Sequence, residues 1–317
     1  MQNNEFVLFQ VLNCYYELNM TLEEISKQFN ISKSTLSRII NSAKSDNLVK
    51  THISFPQWFN TKKQNVLMKY FPDVHIIVTD CNVNDAKQQY RYLVNVFSAS
   101  FVENHLNNDL SITVTGSKTL KDVASRIVPL NKKEGLKWIP MLGGLNPIYS
   151  DYSAADICRA FSNVCGGESY LLNAPAILDN DLVYDYLKKL PMIKDVLEAS
   201  SCADIALTGI GTTNKFYAHV SEDFFNKQDE EFIKKSGAVG NISGRFYNIN
   251  GEPIEYFMDK SIIGLELSEI KKIKTTISIA SDIKKKKSII GALRGGYIDI
   301  LYLDSITATA VINELSL

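Results

Sequence analysis

Apolar residues recur with two different periods along this chain, and the change near residue 55 divides it. In the first part Leu8, Val11, Leu12 and Tyr15 share one face of a helix predicted from about residue 3 to residue 17. Leu22, Ile25 and Phe29 give the stripe of a second, short helix. Thr21 opens it as N-cap, with Glu24 three residues later completing a capping box. Asn30-Ile31-Ser32 breaks the pattern, and Ser32 recaps a third helix in which Leu36, Ile39, Ile40 and Ala43 fall on one side. Thr51-His52-Ile53-Ser54-Phe55 then alternates as a short strand, and Pro56 begins a crossing segment. The reading is a small domain over residues 1–55 and a large one over residues 56–317.

Past Pro56 the pattern alternates between apolar runs and helical stripes. Residues 74–78, 112–115, 138–142, 170–172, 204–209, 275–280 and 298–303 read as strands. A helix over residues 85–106 presents Tyr90, Leu93, Val94, Phe97 and Phe101 on one face. Strand and helix in alternation predict an α/β fold with a mainly parallel sheet, whose ligands sit outside the carboxyl ends of the strands.

The outer side of the third helix carries the chemistry of the small domain. Ser32, Lys33, Ser34, Thr35, Ser37, Arg38 and Asn41 are hydroxyls, cations and an amide. Hydroxyls and Lys suit phosphates, while Arg and Asn make paired contacts to base edges. Two amphipathic helices joined by a polar turn also occur in bundles that never touch DNA, but here caps, turn length and donor-rich face agree, so operator DNA is the expected partner. Residues 32–51 hold Lys33, Arg38, Lys44 and Lys50 against Asp46, within a chain of net charge −1. So few cations per subunit imply several subunits on one DNA, and a homo-oligomer is expected.

Composition adds boundaries. With 317 residues, 45% hydrophobic and 22% charged, the chain has room for a small domain and a large one. No apolar run reaches the roughly 18 residues of a membrane span, and the start lacks the basic residues of a signal peptide. Cys14, Cys81, Cys158, Cys165 and Cys202 form no CxxC pair, so reduced thiols in a cytoplasm are expected. His52, His75, His105 and His219 have no ligand spacing, and neither a metal nor another cofactor is expected.

Candidate ligand chemistry lies at the strand ends. Gly116-Ser117-Lys118-Thr119 follows a strand and opens a helix, where backbone N–H groups, hydroxyls and a cation can hold an anion, although a plain capped turn would look similar. Gly143 and Gly144, then Gly209 and Gly211, either let backbone approach a ligand or close tight turns. Gly237-Ala238-Val239-Gly240-Asn241 reads as another glycine turn, with Asn241 able to bond sugar hydroxyls. Ser281-Asp282-Ile283 leads into four lysines, which are either a solvated face or a reach toward phosphate.

The joint order of these motifs resembles the SorC family of bacterial sugar-responsive transcription regulators over nearly the whole chain. Tyr15-Tyr16 with EEISKQFNISKSTLSRIINSAKSDNLV is similar to that family's DNA-binding segment. TGSKTL, LGGL, LNAPAIL, ADIALTGIG, GAVGNISGRFYNINGE and ALRGGYIDILYLDSITA follow the order of its effector domain. The resemblance implies a helix-turn-helix domain followed by a Rossmann-like effector domain with the fold of sugar-phosphate isomerases and glucosamine-phosphate deaminases. It implies a cytoplasmic oligomer, often a tetramer, whose operator binding responds to a phosphorylated sugar or related molecule. By position, Ser117, Lys118 and Thr119 would line a phosphate end, Gly143 and Gly144 the floor, and Ala174-Pro175 one wall. Asn241 would face sugar hydroxyls, and Lys285 would take the basic position ahead of ALRGG. Three departures accompany it: Asn241 replaces the more usual Asp, Ser281-Asp282 stands where Gly-Gly is common, and Gly116 stands where many members carry Trp. Asp282 is expected either in the pocket or as the cap of the helix that follows. An enzyme of the isomerase or deaminase class is the competing function. Against it, the strand-end loops show no compelling Asp/Glu/His cluster, and a helix-turn-helix has no role in such an enzyme.

Overall fold

The computed structural model describes residues 2–18, 20–46, 48–49, 59–128, 132–144, 152–178, 180–213, 231–233, 235–254 and 262–316. The strand expected over residues 51–55 lies outside them, as do Lys50, Pro56, Leu145, His52 and His219. The chain divides into two compact units, Met1–Phe55 and Pro56–Leu317.

Among the described residues the first unit consists of α1 (Gln2–Tyr16), α2 (Leu22–Phe29) and α3 (Lys33–Ser45). The capping box forms at Thr21: its amide donates to Glu24 Oε2 at 2.8 Å, and the Glu24 amide returns a bond to Thr21 Oγ at 3.3 Å. Asn30, in the left-handed conformation at φ 53°, ends α2, and Ser32 Oγ accepts from the Thr35 amide to start α3. Val11, Cys14, Ile25 and Leu36 form the core at the centre of the three helices.

In the second unit seven strands form one sheet in the order β1-β10-β9-β5-β2-β3-β4, and every pairing is parallel. They are β1 (His75–Thr79), β2 (Ser111–Val114), β3 (Lys137–Pro140), β4 (Glu168–Ser169), β5 (Ile205–Gly209), β9 (Thr275–Ala280) and β10 (Ile300–Asp304). Alternation along the strands feeds two cores. Ile76, Val78, Leu301 and Leu303 pack on one face with α4 (Thr61–Tyr70), α11 (Lys286–Arg294) and α12 (Ser305–Leu315). Ile277, Ile279 and Tyr302 turn to the other face, toward α5 (Ala86–Asn104), α6 (Lys118–Ala124) and α7 (Ala154–Cys165). There Phe97 and Phe101 of α5 are fully buried, and Trp138 stacks on Phe161 at 4.9 Å. Helices α8 (Asp181–Lys189), α9 (Pro191–Ser201) and α10 (Leu267–Ile270) also belong to this unit.

Two sequence expectations are corrected. The strand placed at residues 170–172 is instead Glu168–Ser169, because Gly166 and Gly167, both at positive φ, turn the chain just before it and Trp138 pairs with Ser169. The stretch from Gly237 to Asn241 is not a turn. It leads into β7 (Ala238–Ile242), which lies between β6 (Gly211–Thr212) and β8 (Arg245–Asn248) in a small antiparallel sheet. The turn falls later, at Ser243-Gly244, where both residues have positive φ as a two-residue hairpin requires.

Asp80, just beyond β1, ties three elements together by accepting from Asn60 Nδ2 at 3.0 Å, Gln89 Nε2 at 3.0 Å and Ser305 Oγ at 2.8 Å. Burial raises its pKa, but these bonds and the Asn82 amide outweigh that and hold it at about 2, against 3.8 ordinarily. A depressed carboxyl pKa contributes stability above the unfolded value that disappears as pH falls through the folded one. Asp80→Ala is therefore expected to cost about 1–3 kcal/mol at neutral pH by leaving donors unpaired. In denaturation followed by circular dichroism, the gap to wild type should narrow as pH drops from about 4 toward 2; a gap independent of pH would contradict this role.

Candidate functional site

Strands β2 and β5 are sheet neighbours, yet the chain leaves them in opposite directions, from β2 to β3 and from β5 to β9. Ligands bind at such points in open α/β sheets, outside the carboxyl ends of the strands. A cavity of about 290 Å³ opens at this place, close to the lower end of the range for small-molecule sites. Gly116, Ser117, Lys118 and Thr119 after β2, Gly209 at the end of β5, Gly211 of β6, Asn241 of β7 and Lys285 ahead of α11 all line it.

Close approach sets the shape of this cavity. The Gly209 amide donates to Thr115 Oγ at 3.0 Å, and a Cβ at Gly209 would lie 2.7 Å from Ser117 Oγ. A Cβ at Gly211 would lie 2.6 Å from Asn241 Nδ2, so the segment after β5 passes between Ser117 and Asn241. A Cβ at Gly116 would lie 2.8 Å from the Tyr152 carbonyl oxygen, a backbone contact that accounts for the glycine. Asn241 is 5% exposed and donates through Nδ2 to the Thr212 carbonyl at 3.2 Å.

Lys118 and Lys285 are the cavity's lining cations, and among the described lining residues there is no Asp, Glu or His. Lys118 is paired with Asp122 at 3.0 Å, one turn along α6. Tyr90 donates to the same carboxylate at 2.5 Å, and burial followed by this bond pushes the phenol's pKa up, keeping it a donor.

Other expected residues lie elsewhere. Gly143, Gly144, Ala174 and Pro175 are outside the lining; Gly144 bridges to Pro175, and a Cβ at Gly143 would lie 2.7 Å from the carbonyl oxygens of both Ala174 and Pro175. Their neighbour Leu142 does reach the cavity. Asp282 is also outside it: its carboxylate accepts from the Lys284 amide at 2.9 Å, starting the 3-10 turn Ile283–Lys285. Asp282 stands at φ 125°, a conformation that favours glycine.

Sequence reasoning missed Tyr90 as a lining residue, having read it only as part of an apolar helix face, and missed Tyr152, Thr212, Ser243 and Gly244. The last two were signalled by a Ser-Gly pair between Ile242 and Arg245.

In the first unit, Ser32, Lys33, Ser34, Ser37, Arg38 and Asn41 are exposed on α3, and Thr35 is half-buried. Ser32 is engaged as a cap and Lys33 is paired with Glu23 at 2.9 Å, a bond that lowers the Glu23 pKa. Cys14, Cys158 and Cys165 are buried thiols, with burial pushing Cys165 up to about 12. Among the described residues no group of His, Cys, Asp and Glu could hold a metal ion, and no helix is long and apolar enough to cross a membrane.

Comparison with known proteins adds to this geometry. A family described as "Putative sugar-binding domain" matches residues 56–313. The deoxyribonucleoside regulator of Bacillus subtilis is 25% identical over 95% of this chain and 95% of its own length. The sorbitol operon regulator of Klebsiella pneumoniae is 22% identical over 97% of this chain and 98% of its own. The crystal structure of that full-length regulator, SorC, superposes with a TM-score of 0.72 over 98% of this chain and 99% of its own.

Two glycine substitutions separate frame from cavity. Gly143→Ala meets rigid backbone, so it should lower unfolding stability by about 1–3 kcal/mol. Gly209→Ala meets Ser117 in the cavity lining, at 2.7 Å from Oγ and 3.0 Å from Cβ, so it should weaken small-molecule binding more than Gly143→Ala does. Equal effects of the two on ligand affinity, read by calorimetry, would contradict the assignment.

Proposed function

Since the chain belongs to the family of sugar-binding domains carried by SorC-type regulators, we propose that it is a transcription regulator whose operator binding answers to a sugar-derived effector. The observation that carries the effector half is the cavity where β2 and β5 diverge, with two lysines, several hydroxyls and an amide in its lining. Cations suit a phosphate, and the hydroxyls and amide suit a polyol. A phosphorylated sugar is thus the proposed effector, held by Ser117, Lys118, Thr119 and Lys285 at its anionic group and by Asn241 at its hydroxyls. Gly143, Gly144, Ala174 and Pro175 support the cavity from behind, and Asp282 fixes the turn that presents Lys285. The frame of this unit is proposed to be that of the sugar-phosphate isomerases and glucosamine-phosphate deaminases.

The DNA half rests on α2, the three-residue turn and α3, read as a helix-turn-helix with α3 in the major groove. Arg38 and Asn41 would read base edges, while Ser34, Thr35 and Ser37 hold phosphates. Few cations per subunit favour a homo-oligomer, proposed as a tetramer assembled through residues 56–317, acting in the cytoplasm. The paired helices α2 and α3 have no role in an isomerase and favour a regulator.

A DNA-shift assay on the region upstream of the protein's own gene, beside a turnover assay with sugar phosphates, tests the reading. Retarded DNA without turnover is expected; turnover without DNA binding would overturn it. Arg38→Ala should cost about 1–3 kcal/mol of operator affinity if the residue reads a base. Unchanged affinity with an intact fold would remove Arg38 from the interface. Light scattering of the full chain at micromolar concentration should give the mass of a tetramer, and a monomer would refute that assembly.

A further inference from the structure

Helix α8 buries one side and leaves an apolar ridge on the other. Tyr184 belongs with Ile193 and Leu197 of α9 to one buried cluster, and Leu187 packs against it. Leu182 and Tyr186, one turn apart on the opposite side, are 81% and 66% exposed. Val183 beside them and Met192 at the start of α9 are exposed as well. A single exposed apolar residue needs no explanation, but Leu182, Val183 and Tyr186 share little more than one turn of one helix. Their exposure adds nothing to the folding of a single chain.

The charges on the same helix indicate what covers the ridge. Asp181 and Asp185 lie in its first half, Lys188 and Lys189 in its last turn. At about 3.6 residues per turn, all four fall on one flank of the line from Leu182 to Tyr186. Among the described residues no ion pair engages any of the four, and Lys188 lies over the Tyr184 ring at 5.2 Å. The helix dipole accounts for acid first and base last, but not for the apolar ridge beside them. A parallel copy of α8 would set like charge against like. An antiparallel copy related by a two-fold axis brings this flank against its own equivalent in reverse order, so carboxylates meet ammoniums at both ends. Leu182 and Tyr186 then pack across the axis. We infer that the exposed side of α8 is a self-association surface, covered by α8 of a second copy of this chain in antiparallel orientation. This inference rests on the homo-oligomer proposed above. A helix of 9 residues spans about 14 Å, so the contact is small beside the roughly 800 Å² per partner of a stable interface. It therefore suits one of several two-fold contacts in a tetramer rather than its only one.

Analytical ultracentrifugation of the full chain over a range of concentrations provides the test. Leu182→Gln combined with Tyr186→Gln removes the ridge while keeping helix propensity and charge. This variant should dissociate to half the wild-type mass, with that step weakened about tenfold or more. Its circular dichroism should match wild type, because both side chains lie outside the core. Charge reversal then tests the orientation. Asp185→Lys and Lys189→Asp should each weaken assembly, and the two together should restore it, since each reversed group again meets its opposite across the axis. A mere loss of helix stability would instead accumulate in the double variant, and losses that add would overturn the antiparallel copy as occupant. A folded Leu182→Gln/Tyr186→Gln variant with wild-type mass at every concentration would overturn the surface while leaving the homo-oligomer reading intact. A wild type that is itself monomeric would bring down that reading, and this inference with it.

Discussion

Divergence of the chain at β2 and β5 is the constraint on which the second unit depends. Two parallel neighbours whose crossovers run to opposite sides leave a crevice that no backbone segment of the sheet can close. Everything that lines the crevice follows from filling it only partly. Gly209 and Gly211 keep the segment after β5 thin enough to run between Ser117 and Asn241, and Gly116 lets the backbone at Tyr152 lie against it. Larger side chains at these points would fill the space that a ligand needs.

The small antiparallel sheet is the second device. A parallel sheet supplies loops at its carboxyl edge but no side wall, and β6, β7 and β8 provide one. Its rigidity comes from Arg245, whose guanidinium reaches two carbonyls and Glu266. A buried arginine bonded in this way fixes orientation more than it adds stability. The wall is thereby held in one register, with Asn241 and Ser243 presented on the cavity side.

Legibility in the sequence tracked how local each determinant is. The central parallel strands are short, largely buried runs rich in apolar and β-branched residues, so the expectations at 204–209, 275–280 and 298–303 fall on the strands found at 205–209, 275–280 and 300–304. The α2–α3 turn was legible because Thr21, Glu24 and Ser32 act within four residues of themselves. The wall was not, since glycines in β7 resemble a loop until Ser243-Gly244 is recognised as the real turn. Tyr90 was hidden because one helical face both packs in the core and reaches the cavity. Gly143, Gly144, Ala174 and Pro175 came from resemblance, and their contacts are with one another rather than with the cavity. Tyr152 gave no signal, since its placement depends on a contact with Gly116, far away in sequence.

The central claim is that occupation of the cavity changes DNA binding by the other unit, which is a coupling free energy between two sites. Fluorescence anisotropy of labelled upstream DNA, titrated with the full chain in the absence and presence of saturating sugar phosphate, measures it most directly. The account predicts an operator Kd that differs by about 5-fold to 150-fold between the two titrations, with DNA shifting the Kd for the sugar phosphate by the same factor. Identical operator affinity with and without a sugar phosphate that demonstrably binds would contradict it.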